Sequence, residues 1–94
     1  MMEVLIANAN EHVDVYAGRQ ARIYNGGIGW IHKGGDAIVY EGGYAWVHEG
    51  GEAEVYEGGK VWVHEGGYAL VHEGGHADGP GRIVWEKEPD DESN

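Results

Sequence analysis

The chain has 94 residues, 18 of them glycine, no cysteine, and a net charge of −11 from 17 acidic and 6 basic side chains. That length allows one small domain, and that charge argues against direct nucleic-acid binding or an anionic membrane surface, since both demand positive charge. Without cysteine there is no disulfide framework, and without a long apolar run or a basic, apolar leader the expected location is cytoplasmic, with no membrane partner.

In chain order, residues 1–9 form the expected N-terminal cap. Their apolar run Val4-Leu5-Ile6-Ala7 is suited to cover an open end. From Asn10 the chain repeats every eight residues, most clearly in GGDAIVYE (34–41), GGYAWVHE (42–49), GGEAEVYE (50–57), GGKVWVHE (58–65) and GGYALVHE (66–73). A fixed short period marks a stacked-coil architecture. With the glycine pair at positions 1 and 2, position 4 is Val13, Ala21, Gly29, Ala37, Ala45, Ala53, Val61 and Ala69. Position 6 is Val15, Ile23, Ile31, Val39, Val47, Val55, Val63 and Val71. Both positions are small or β-branched and uncharged, while positions 3, 5 and 7 are polar or aromatic. That alternation predicts a half-buried strand in each octad. The glycine pair that follows predicts a sharp corner.

A longer period lies inside the first. Trp30, Trp46 and Trp62 occupy position 5 of alternate octads, with Ile38, Glu54 and Leu70 between them. His32, His48 and His64 follow the Trp residues at position 7, whereas Tyr24, Tyr40 and Tyr56 take position 7 of the other octads; only His72 breaks the alternation. The structural repeat is therefore sixteen residues, two strands and two Gly-Gly corners per coil. This predicts an all-β, single-chain, two-sided β-solenoid of about four coils over 10–81, with stacked strands about 4.8 Å apart. One sheet would show Trp and His outside, the other mainly Tyr. After Gly75 the repeat decays through HADGPG; residues 82–89 are expected to form a C-terminal cap strand, with Trp85 covering that end, and 90–94 an acidic tail. The Ala and Val interior is thin for a chain of this size, so backbone ladders, outer stacks or a second copy must contribute to stability.

The outer columns hold the candidate sites. Trp30, Trp46 and Trp62, flanked by Ile28 and Tyr44 and accompanied by His32, His48 and His64, form a broad apolar face. Such faces mark interfaces, so this one is expected to mediate self-association into a homo-oligomer or to bind a protein target. Three Trp rings in a row also suit a sugar chain, but no polar set to select one is evident in the sequence. The His column could share a Zn²⁺ or Ni²⁺ ion only with a closed ligand set. No acid lies between these His residues on their own strand face, so no metal and no cofactor are expected. Protonating the stacked His should become harder along the column, which predicts pH-sensitive behaviour where histidine titrates. Position 8 places Glu41, Glu57 and Glu73 along one edge, and Glu49 and Glu65 above Lys33 on the other. These acidic edges favour solubility, and they also offer a row of anions. The segment His72-Glu73-Gly74-Gly75-His76 spells the zincin motif H-E-x-x-H, which works only on a helix. Here its middle is the repeat's own corner. No Ser/His/Asp set, phosphate loop or buried acid pair is visible, and the chain is not expected to be an enzyme.

The runs A-I-V-Y-E-G-G, A-W-V-H-E-G-G and A-E-V-Y-E-G-G resemble the A-x-V-x-A-x-G-S runs of short octapeptide-repeat β-solenoids of actinobacteria and phages, over roughly residues 10–77. This resemblance implies the solenoid fold and a phage-derived origin, hence a host-cell cytoplasmic location. Gly26-Gly27-Ile28-Gly29 is similar to the start of the calcium-binding RTX repeat, but the octad lacks its Asp and is one residue shorter. The octads also resemble the intertwined needles of phage tail spikes, from which the V-x-E-G spacing departs. Pentapeptide-repeat DNA mimics share only the acidic-rod logic. The function expected is that of a non-enzymatic, acidic interaction protein working through its Trp/His face. The alternative is a DNA-mimic inhibitor of a nucleic-acid-binding protein, of the anti-defence type, acting through its glutamate edges.

Overall fold

The computed structural model describes residues 4–86. The expected acidic tail at 90–94, the last part of the expected cap strand at 87–89 and residues 1–3 of the expected N-terminal cap lie outside the described residues.

Eleven strands run β1 (Val4–Ala7), β2 (His12–Val15), β3 (Gln20–Ile23), β4 (Ile28–Ile31), β5 (Asp36–Val39), β6 (Tyr44–Val47), β7 (Glu52–Val55), β8 (Lys60–Val63), β9 (Tyr68–Val71), β10 (His76–Asp78) and β11 (Arg82–Trp85). Odd strands form one parallel sheet, β1-β3-β5-β7-β9-β11, and even strands the other, β2-β4-β6-β8-β10. The chain is an all-β, two-sided solenoid, as its periodicity predicts. From β1 to β10, rung partners lie sixteen residues apart, as in Ala37↔Ala53 and Trp46↔Trp62. The octads account for four coils; β1, β10 and β11 lengthen the ladders to about five.

The corner explains the glycine pair. Gly35 N donates to His32 O at 2.8 Å, closing a four-residue turn with Gly34 at its third position and φ +82. A positive φ there defines a type II turn, which glycine enters without strain. The second glycine answers a different demand. A Cβ on Gly35 would collide with the Val15 carbonyl oxygen of the coil beside it. The backbone ladder also continues through the corners. Gly34 N donates to Gly50 O and Gly42 N to Gly58 O, both at 2.9 Å. Few polar backbone groups are left over, which matters for a fold with so thin a core.

Positions 4 and 6 point inward. Val15, Ile23, Ile31, Val39, Val47, Val55, Val63 and Val71 are fully buried, together with Ala21, Ala37, Ala45 and Ala69. The one glycine at position 4 has a packing reason. A Cβ on Gly29 would land on the Ile23 side chain, and Ile31 lies beside it. Those two are the only isoleucines at position 6, so their extra methylenes fill the space that alanine occupies elsewhere.

The ends are further rungs with altered sequence. Val4–Ala7 pairs in register with Gln20–Ile23. The first corner uses Asn10 at φ 68 where later corners use glycine, a conformation Asn tolerates better than most residues. At the other end Arg82 pairs with Tyr68, two residues short of the usual offset. The corner Gly79-Pro80-Gly81 makes the difference, with Gly79 at φ +114. Trp85 thereby takes the register position of an inner valine, opposite Val71, yet remains 54% exposed.

Candidate functional site

The even-numbered sheet brings the expected aromatic residues together. Register stacks Asp14, Trp30, Trp46, Trp62 and Asp78 in one outer column. A parallel column holds His12, Ile28, Tyr44, Lys60 and His76. Trp30 and Trp46 stack with ring centres 5.9 Å apart and planes 13° apart. Trp46 and Trp62 are 6.4 Å apart but tilted by 50°. Tyr44 meets Trp46 edge-on at 5.4 Å. Trp46 thus sits at the centre of the face, touched from either side by another indole. Such stacks add about 0.5–1.5 kcal/mol each beyond burial. Even so, Trp30 and Ile28 remain 38% and 37% exposed.

The His residues form the third column, at the corner after each even strand. His32 and His48 stack at 5.2 Å, and His48 and His64 at 4.7 Å, with planes within 11°. His48 and His64 also flank the neighbouring indoles Trp30 and Trp46, each at 6.3 Å. Burial holds the His48 pKa below its ordinary value, and the adjacent His64 and His32 lower it further. The expected difficulty of charging the middle of the column therefore has desolvation as its larger cause.

Two partners of this column are not evident from the strand face alone. Tyr16 stacks on His32 at 4.5 Å and 7°, so the column begins with a phenol. Asp14 reaches His32 Nε2 from the adjoining Trp column, Oδ1 to nitrogen 3.1 Å. An acid therefore does meet the His ladder, at its end and from one rung away. Register signals it: Asp14 lies sixteen residues before Trp30. Among the described residues no group of three or more His, Asp or Glu could hold a metal ion. His72 and His76 of the H-E-x-x-H segment lie on opposite sides of the Gly74-Gly75 corner, one ending the β9 rung and the other opening β10. They belong to different sheets and do not converge.

The odd-numbered sheet carries the Tyr column. Tyr24–Tyr40 stack at 4.9 Å, Tyr40–Tyr56 at 5.6 Å and Tyr56–His72 at 4.6 Å, all with planes within 8°. His72, which breaks the sequence alternation, continues this stack and adds a clasp. Its Nε2 lies 2.7 Å from Glu54 Oε2, and its Nδ1 lies 2.6 Å from Glu86 Oε1. It thereby ties β7 to the residue after β11. Tyr56 donates its hydroxyl to Glu54 at 3.2 Å; the charge of Glu54 is the main reason the Tyr56 pKa is raised. On the same sheet, Asp36 has a raised pKa, from burial first and from Glu52 second.

The corner acids stand outside both sheets. Glu41, Glu57 and Glu73 are exposed along one edge, Glu49 and Glu65 along the other. The stem of Glu41 lies against Gly58 of the next coil, that of Glu57 against Gly74, and that of Glu49 against Gly66. A row of carboxylates thus follows the coil spacing.

No family model and no curated protein matches this chain. A solved structure does: that of a TibC-catalysed, hyper-glycosylated fragment of TibA, residues 55–350. The match has a TM-score of 0.67 and 26% identity, and covers 86% of this chain and 35% of that one. This chain thus spans about a third of the fragment's length, and what the two are seen to share is the β-solenoid fold.

Proposed function

We propose that the protein is a non-enzymatic interaction module, and that the face built on Trp30, Trp46 and Trp62 meets a partner, first of all a second copy of the chain. The observation that carries this is the distribution of acids around the indole column. On the Trp sheet the acids Asp14 and Asp78 stand only at the two ends of the indole column. The Tyr sheet carries Asp36, Glu52 and Glu54 in its middle. A chain with a net charge of −11 meets its own copy with least repulsion through the face that lacks central acids. An apolar centre with a charged rim is also how stable interfaces are built. The titratable groups of the solenoid stand on outer columns rather than in a desolvated pocket, which supports binding over catalysis. Glycosylation, named for the TibA fragment, has little to attach to here: the chain has one serine, Ser93, no threonine and no Asn-X-Ser/Thr site.

Analytical ultracentrifugation tests the reading. Trp46→Ala should lower the sedimentation coefficient of the oligomer, and Tyr56→Ala on the other sheet should leave it in place. A wild-type monomer at high concentration contradicts self-association.

A second reading rests on the glutamate rows. Their stems are held against the next coil, so the carboxylates repeat about every 4.8 Å along each edge. Such a row supports mimicry of a nucleic-acid backbone toward a basic target. Replacing Glu41, Glu57 and Glu73 together by Gln should then abolish capture of that target and leave the fold intact. Capture unaffected by this change, and by salt, removes the mimic reading.

A further inference from the structure

The two ends of the Trp column are built differently. At the Asp14 end, the carboxylate is taken by His32 at 3.1 Å. At the other end, Asp78 Oδ1 accepts the backbone N–H of Gly79 at 2.8 Å. The second oxygen of Asp78 has no partner among the described residues. Trp30 lies flat against Trp46, whereas Trp62 is turned 50° from Trp46 and stands edge-on to His64 at 77°. Among the described residues no ring lies flat on Trp62. The next rung places Asp78, not an aromatic residue, opposite it.

Around that unstacked indole lies an open hollow of about 570 Å³, lined by Tyr44, Lys60, Trp62, His76 and Asp78 over Val61 and Ala77. The side chains of Lys60 and His76 make no hydrogen bond or ion pair among the described residues; their backbone N–H groups donate to Gly43 O and Gly59 O. The hollow therefore combines an aromatic plate, a carboxylate acceptor, an ammonium donor, and an imidazole and a phenol able to do either. This is the polar set that the sequence does not make evident.

The chemistry of that set narrows the ligand. A guanidinium or ammonium ligand would suit Trp62 and Asp78 but would meet Lys60 beside them. An acidic glycan would suit Lys60 but would approach a chain of net charge −11. A neutral pyranose fits every element. Its C–H face packs on an indole, and its hydroxyls both donate and accept. We infer that the Trp62 hollow binds one unit of a neutral saccharide, stacked on the Trp62 ring, with hydroxyls donating to Asp78 and accepting from Lys60. This goes beyond the association reading, because it uses the free side of Trp62 and not the centre at Trp46.

The test is a display of immobilised neutral hexose and N-acetylhexosamine oligosaccharides, probed with the labelled full chain. The strongest ligand is then titrated by NMR, following the Trp62 indole N–H. Retention on at least one neutral glycan is expected, with that indole resonance shifting on titration. Trp62→Ala should abolish retention and Trp62→Phe should keep part of it. Asp78→Asn should weaken binding about tenfold, as expected for loss of a hydrogen bond to a charged acceptor. Trp46→Ala should weaken self-association and leave glycan retention in place, which separates failure of one reading from failure of the other. No retention on any neutral glycan overturns the inference. So does retention that survives Trp62→Ala with the fold intact by circular dichroism, or capture of an arginine-rich peptide alone.

Discussion

The Trp sheet and the Tyr sheet share one Ala/Val interior, yet their outer columns treat aromatic rings differently. On the Tyr sheet the rings form one near-parallel stack, Tyr24, Tyr40, Tyr56 and His72, and the polar atoms at its end are tied to Glu54 and Glu86. On the Trp sheet two aromatic columns run side by side, the second indole pair is more tilted than the first, and the side chains of Lys60 and His76 stand beside them without partners among the described residues. Hydrogen-bonded, internally stacked rings stabilise a fold. Rings beside donors and acceptors whose side chains have no partner are available to something else. On the proposed reading, the Tyr face supports the fold and the Trp face meets the partner.

That division can be broken by experiment. The largest stability effect should fall on the Tyr sheet. Tyr40 stacks on both neighbours, so Tyr40→Ala should cost about 1–3 kcal/mol from two lost stacks, several degrees of Tm, without changing the oligomeric state. A loss of association in this variant would reverse the roles of the two faces.

A smaller effect is expected from the clasp. His72→Tyr restores the sequence alternation and keeps a ring in the stack, but removes the imidazole that bridges Glu54 and Glu86. Because Glu86 is more than half exposed, the loss should not exceed about 1 kcal/mol and should shrink with added salt. Hydrogen exchange should place it at β11. A variant as protected at β11 as the wild type would show that the clasp is incidental.

The smallest effects separate the faces by pH. The folded-state pKa of His48 is lowered, so the unfolded chain takes up the proton more readily. Stability from this group is present above the ordinary histidine range and is lost as pH falls from about 6.5. Asp36 behaves oppositely. Its folded-state pKa is raised, so its charge costs stability at neutral pH, and the cost is relieved as pH falls through its folded value. His48→Gln should flatten the Tm profile between about pH 5 and 7. Asp36→Asn should raise stability at pH 7, by no more than about 0.5 kcal/mol for a partly exposed site, and Tm with it. Melting curves of the two variants check both signs, and a wild-type profile unaffected by either substitution would show that neither group senses its sheet.

Much of this architecture is legible in the octads. The uncharged positions 4 and 6 mark the interior, and the alternation of Trp-x-His with Tyr marks which residues share a column. Local regularity suffices there because every rung repeats the last. The parts that escape are those where the repeat fails. Val4–Ala7 lacks the glycine-paired octad but keeps its inward alternation, Leu5 and Ala7, and so forms a rung. The register of β11 depends on a corner shortened by two residues, which no periodicity marks. The clasp between His72 and Glu86 follows from that shift. Asp14 meeting His32 crosses from one column to another, and Trp62 is tilted on a rung whose neighbour carries an aspartate in place of an indole. These are contacts between unlike rungs, which a repeat cannot encode.

The central claim is that association uses the Trp sheet. A concentration series of ¹⁵N NMR spectra on the wild-type chain tests it directly. The account predicts that, as concentration rises, the indole N–H signals of Trp30, Trp46 and Trp62 and the amides of β4, β6 and β8 shift or broaden. The amides of β3, β5 and β7 should hold still. Changes centred on the Tyr sheet, or spectra that do not change up to millimolar concentration, would contradict it.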